Sequence, residues 1–228
     1  GYDDLKRIQR DPYLKPLRGD ERFAKLVERW DQVLRLQTEN NLTRAREVFG
    51  AGLAESRDER LKLVFLSSFD AESTAKARED LSRTAEWASA NVFTDLFDGD
   101  GGKLDPWALV ILPKAGDFQK WVTAKYGASS ALSLGGTIGG EYDHASKRLV
   151  SRDLGASLRH EYFHVLHWRD MTRRGQMHPV WIMEGLCSLI EDYDLKDGVA
   201  DPTISWRSNI AKRLERGGRL MPLDTLVS

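Results

Sequence analysis

The chain has 228 residues, with 34 Lys and Arg against 35 Asp and Glu and a formal net charge of −1; this is enough length for one sizeable core with a small helical unit beside it. The cationic residues are spread along the sequence rather than clustered, which excludes the basic footprint of a nucleic-acid binder. No apolar run reaches the roughly 18 residues of a membrane helix, and the single cysteine, Cys187, excludes an intrachain disulfide while leaving the compartment open; the expectation is an extracytoplasmic location.

The sequence begins at Gly1 rather than Met and reads as a processed chain or a piece of a longer one. Its first part is helical in period: "DERFAKLVERWDQVLRL" puts Phe23, Leu26, Val27, Trp30, Val33 and Leu34 on one face. "NLTRAREVFGAGLAES" reads as a further short helix. The preceding "DPYLKPLRGDERF" resembles the closing segment of tetratricopeptide-repeat arrays. No second copy follows, so this resemblance implies helical repeats upstream in a longer parent chain.

The pattern then changes. "LKLVFLSS" is a buried strand, and a charged amphipathic helix is expected from about Ala71 to Phe97. "DGDGGKLDP" is a turn-rich loop that lacks the spaced oxygen ligands and distal glutamate of a calcium loop. "WALVILP" is a second strand and "AGDFQKWVTAKYG" a helix. "SLGGTIGGEYDHASKRLVSRD" gives an extended segment, a turn at His144 to Lys147 and a short strand "RLVS". Its glycines match no phosphate-binding spacing and read better as a strand edge open to a ligand backbone. Asp153 caps a helix from Leu154 to about Trp168, and the polar "RDMTRRGQMH" is read as a loop. Pro179 opens a second helix over "VWIMEGLCSLIEDY", and "SWRSNIAKRLERGG" is a last helix ended by glycine.

The chemistry lies in "LRHEYFHVLHW". His160 and His164 are four apart and share a helical face, so both imidazoles can reach one ion, with Glu161 beside them. The bland alternative is a core helix that happens to carry two histidines. The apolar flanks Tyr162, Phe163, Val165 and Leu166 weigh against it, because two imidazoles facing a core without partners are costly to bury. A catalytic zinc takes three protein ligands. His167, Asp170 and Glu184 are the candidates for the third: His167 is a turn further along the same helix, Asp170 matches metzincin-type spacing but lacks the glycine that breaks the helix, and Glu184 lies on the next helix.

HEYFH followed by "PVWIMEG" resembles the gluzincin clan of zinc peptidases, in particular the peptidase MA-like group. The resemblance covers Leu61 to Asp192. It implies an α+β fold in which a small mixed sheet carries a long helix, followed by the zincin active-site helix and a second helix with the third ligand. It implies one zinc ion per chain held by His160, His164 and Glu184, with Glu161 as general base. The expected division is a helical N-terminal segment over 1–58 and a zincin-like domain over 59–228, short of the clan's C-terminal helices. "GGEYD" is not the aminopeptidase edge-strand signature, so exopeptidase action has no support. The clan's oxyanion-stabilising His or Tyr falls well after the third ligand. No His follows Glu184 here and Tyr193 is the one Tyr, which makes Tyr193 and His178 the first substitutes to test, with Tyr142 and His144 behind them. Glu191 is a candidate partner for a ligand histidine, and Cys187 reads as a small core residue.

The expected activity is zinc-dependent hydrolysis of peptide bonds, with endopeptidase action preferred. The substrate, a peptide or protein segment in extended form, would lie along Thr137 to Tyr142 against Gly139, Gly140 and Tyr142. The alternatives are a zinc-binding but inactive module that binds a partner, and a helical protein with no metal at all.

Overall fold

The computed structural model describes residues 5–94, 96–97, 105–129, 138–222 and 224–225. Thr137 and most of "DGDGGKLDP" lie outside the described residues, as does the end of the chain. The helices are α1 (Leu5–Arg10), α2 (Glu21–Glu28), α3 (Trp30–Phe49), α4 (Ala71–Asn91), α5 (Ala115–Tyr126), α6 (Ala156–Arg174), α7 (Val180–Cys187) and α8 (Trp206–Arg216). The strands are β1 (Ala54–Asp58), β2 (Leu63–Ser67), β3 (Ala108–Leu112), β4 (Gly140–Asp143), β5 (Arg148–Ser151), β6 (Tyr193–Lys196) and β7 (Val199–Pro202).

Strands β1 to β5 form one mixed sheet in the order β1-β2-β3-β5-β4, and β6 and β7 form a separate hairpin. The three inner strands are parallel, and the two edge strands run antiparallel to their neighbours. Every residue of β2 and β3 is buried, as strands covered on both faces require, which is why both read as continuous apolar runs. Alternation along β2 sends Leu63 and Phe65 to a core shared with Leu81 of α4 and Leu158, Tyr162 and Phe163 of α6. Val64 and Leu66 face the other way, onto Leu42, Ala45 and Phe49 of α3 and Phe118 and Trp121 of α5. The fold is therefore α+β, a five-stranded mixed sheet between helices, with a helical N-terminal stretch. Asp70 starts α4 by accepting a hydrogen bond from the Ser73 N–H.

Four local readings need correction. The periodic stretch around Trp30 is two helices, which break at Arg29, and α3 runs on through what reads as a separate helix. Residues 54–58 are not helical. They form an edge strand whose Ala54 pairs with Ser67 and whose Arg57 pairs with Val64, so the sheet begins before residue 59 and the expected division at 58/59 falls between two paired strands. β1 has no apolar alternation because it is an edge strand, and charges suit an edge: Arg57 bridges Glu39 and Glu55 there. The helix read as far as Tyr193 ends at Cys187, and Tyr193 opens the hairpin β6–β7. Finally, α4 stops at Asn91 rather than Phe97.

The largest difference lies in α6. "RDMTRR" is not a loop: the helix continues to Arg174 and ends at Gly175 in the left-handed conformation. Two of its arginines anchor it to other elements. The Arg169 guanidinium donates to the carbonyls of Leu61, Lys62 and Pro106. Arg173 donates to the Leu96 carbonyl and to the buried Asp105. Asp153 accepts from the Gly155 N–H, and the N-cap residue is Gly155.

Candidate metal centre

Helix α6 lies against the β4–β5 edge of the sheet, and α7 folds back onto it. Along α6, His160, His164, His167 and Met171 recur at i, i+4, i+7 and i+11, one continuous face. On α7 and the 3₁₀ turn after it, Glu184, Cys187 and Glu191 recur at i, i+3 and i+7. These two stripes meet.

The histidines are held at both ring nitrogens. His160 Nδ1 lies 2.7 Å from Glu191 Oε1, and His164 Nδ1 lies 3.1 Å from Cys187 Sγ. The opposite nitrogens converge on one carboxylate: His160 Nε2 is 3.2 Å from Glu184 Oε2, and His164 Nε2 is 3.5 Å from Glu184 Oε1. Donor atoms of His160, His164 and Cys187 lie within 4.8 Å of one another and could hold a metal ion. Two ligand sets share the two histidines, one completed by Cys187 and one by Glu184. The Glu184 carboxylate faces both Nε2 atoms, whereas Cys187 meets His164 on the nitrogen turned away from that meeting point. Burial pushes the Cys187 thiol pKa up in the metal-free chain.

Burial opposes a charge on His160, yet the Glu184 and Glu191 carboxylates outweigh it and raise its pKa to about 9. Burial and the neighbouring His160 charge lower His164 to about 4. Burial pushes the Glu161 carboxyl up to about 7, with the His160 charge pulling against it. Two carboxylates, Glu184 and Glu191, lie against the imidazoles.

Glu161 accepts a hydrogen bond from the Tyr142 backbone N–H, which ties it to β4. A Cβ on Gly140 would sit 2.7 Å from the Val150 carbonyl oxygen and 2.8 Å from Glu161 Cγ; one on Gly139 would sit 2.0 Å from Ser157 Oγ. The glycines are therefore needed to bring the strand against α6, a closer constraint than room for a ligand. Both line, with Tyr142, a cleft of about 810 Å³ that contains His160, Glu161, His164 and Glu184. The hydroxyl of Tyr126, on the cleft wall, donates to Glu141.

Other expected residues lie elsewhere. Tyr193 donates to Asp80, with the Arg159 guanidinium 5.1 Å from its ring centroid. His178 Nδ1 is 2.7 Å from His167 Nε2. His144 stacks on Trp168 at 4.0 Å. Asp170 is buried within the unbroken helix and accepts from Arg174 Nε at 2.9 Å, which corrects its placement in a loop. Trp206 and Arg207 at the start of α8 do line the cleft, and Arg207 Nε donates to Glu191 Oε1 at 2.7 Å. No spacing in the sequence marks these two, because a hairpin separates them from α7 and only the tertiary fold brings them back.

No protein-family model matches the chain, and no curated protein or solved structure matches it.

Proposed function

We propose that this cleft is the active site of a zinc-dependent peptide-bond hydrolase of the gluzincin type, acting as an endopeptidase. The observation that carries the reading is the meeting of both Nε2 atoms on the Glu184 carboxylate while both Nδ1 atoms are held from behind. His160, His164 and Glu184 would hold the zinc ion. Zinc on Nε2 requires each ring proton on Nδ1, where the Glu191 carboxylate and the Cys187 sulfur are placed to accept it. A bound zinc ion supplies Lewis-acid activation of water and polarisation of a substrate carbonyl.

Glu161 takes the proton from the attacking water and returns it to the leaving amine. Its burial suits that work, since a carboxyl raised towards neutral pH accepts and releases a proton readily. Among the described residues β4 is an edge strand paired only with β5, so an extended peptide can add alongside Gly139, Gly140 and Tyr142. Tyr193 and His178 are engaged elsewhere, and Arg207, anchored on Glu191, and Arg152 are cations on the cleft wall able to face developing negative charge.

The experiment is metal content and peptide cleavage on the same samples. The purified chain should carry close to one zinc, lost in His160→Ala and His164→Ala. Glu161→Gln should keep the zinc and lose at least about a hundredfold in hydrolysis of unstructured peptides, the lower scale of acid–base assistance. Cleavage by Glu161→Gln at the parent rate would remove Glu161 from the chemistry. Zinc without any cleavage in the parent would favour the inactive, partner-binding reading, which the placement of Tyr193 and His178 away from the cleft keeps in play.

A further inference from the structure

Glu184 has to be held in place by a helix with little packing of its own. In α7 one residue is buried, Cys187, near its C-terminal end. Val180 and Trp181 at its start are exposed, at 66% and 44%. The N-terminal half of α7 needs an anchor, and the linker before it supplies one.

That linker, residues 175–179, is tied to the ligand face of α6. The His178 N–H lies 3.3 Å from Met171 Sδ, and the His178 ring meets His167. His167 is fully buried, stacked on Phe93 at 5.4 Å. Its Nδ1 has no hydrogen-bond partner among the described residues. A buried lone pair without a partner is cheaper than a buried N–H without one. His167 therefore carries its proton on Nε2 and donates to His178 Nδ1. Pro179 follows immediately, its φ fixed at −65°, and its carbonyl accepts the first two helical hydrogen bonds of α7, from Ile182 and Met183. A stiff residue thus links the His178 anchor to the helix that bears Glu184.

We propose that His178, held by His167, is a positioning residue that sets the third metal ligand. The His167–His178 hydrogen bond fixes the start of α7 against the same helix face that presents His160 and His164, so the carboxylate of Glu184 meets both imidazoles without reorganisation. This rests on the reading of Glu184 as a ligand.

The test is a double-mutant cycle on the full chain, with zinc affinity read by competition against a chromophoric chelator. His178→Ala should weaken zinc binding about 10- to 100-fold, the scale for residues that orient ligands. His178→Leu, which fills the volume without an acceptor, should do the same and guards against simple loss of fold. His178→Asn, whose Oδ1 can accept from His167, should restore affinity to within about threefold. In a Glu184→Gln background the alanine and leucine changes should cost less than about threefold, because the ligand they position is already gone. Equal losses in both backgrounds, or no loss in the parent, would overturn the positioning role. A parent whose zinc affinity ignores Glu184→Gln would overturn the ligand assignment itself, whatever His178 does.

Discussion

Around the two imidazoles, each side chain is defined by the nitrogen it meets. Glu184 meets both Nε2 atoms, and Glu191 and Cys187 each meet one Nδ1. A ligand and its supporting residues differ in what their loss costs. Glu184→Ala should abolish tight zinc binding, and Cys187→Ser should weaken it by no more than about 100-fold. Asp170→Ala should leave zinc binding unchanged and cost stability through its lost partner Arg174. Chelator competition on the three variants decides, and loss of zinc in Cys187→Ser with retention in Glu184→Ala would make the cysteine the ligand. A further residue-scale outcome concerns His167, which burial and the adjacent His178 lower from 6.5 to about 4. Its folded-state pKa lies below the unfolded one, so between pH 6.5 and about 4 the unfolded chain binds a proton that the folded chain refuses. Stability therefore falls as pH falls through that window, and the histidine imposes no such cost above it. The loss should be on the order of 1–3 kcal/mol. Urea midpoints from pH 7.5 to 4.5 should show a shallower slope in His167→Gln than in the parent.

Between elements, the decisive contact is β4 against α6. Gly140→Ala would drive a methyl into a strand carbonyl and into the stem of Glu161 at under 3 Å. The expected cost is about 1–3 kcal/mol of stability, with zinc content kept and peptide hydrolysis lost, because Glu161 shifts while the ligands stay. Thermal melts, metal analysis and cleavage rates on one preparation check this; unchanged hydrolysis would mean that Glu161 need not sit against β4. The buried parallel strands, α4 to α6 and the shared face of His160 and His164 were legible in the sequence because burial on both faces, or a helical stripe, leaves a period. The rest left none. β1 is an edge strand made of charges, β6–β7 is a short hairpin with exposed residues, and the last turns of α6 are polar because they cap carbonyls of other elements. Glu191, read from the sequence as a candidate partner for a ligand histidine, does meet His160, and Cys187, read as a core residue, falls at helical spacing from Glu184, a signal that could have marked it as a partner of His164. Arg207 and Trp206 carry no such mark.

At the scale of the whole molecule, the helical N-terminal stretch is built into the sheet. Leu42, Ala45 and Phe49 of α3 cover Val64, Leu66, Leu109 and Ile111, and β1 closes the edge of β2. A chain starting at residue 59 would expose that apolar face and leave β2 with an open edge, a hazard for association as well as stability. The six larger of these side chains, at about 1.5–3 kcal/mol each, are comparable to the roughly 5–15 kcal/mol of net stability a domain possesses. Residues 59–228 should therefore show no cooperative melt and no tight zinc site. Removal of residues 1–18 is a different case. It takes away Leu5 and Ile8, which pack on Trp30 and Leu34 in a small separate cluster, and the bond from Arg10 to the Arg173 carbonyl. That shorter chain should keep a cooperative transition, lowered by about 2–5 kcal/mol, and should keep its zinc. Melts followed by near-ultraviolet circular dichroism, with metal analysis of each product, separate the two. A folded, zinc-bearing 59–228 fragment would show instead that the helical stretch is an independent unit resting on a sheet stable without it.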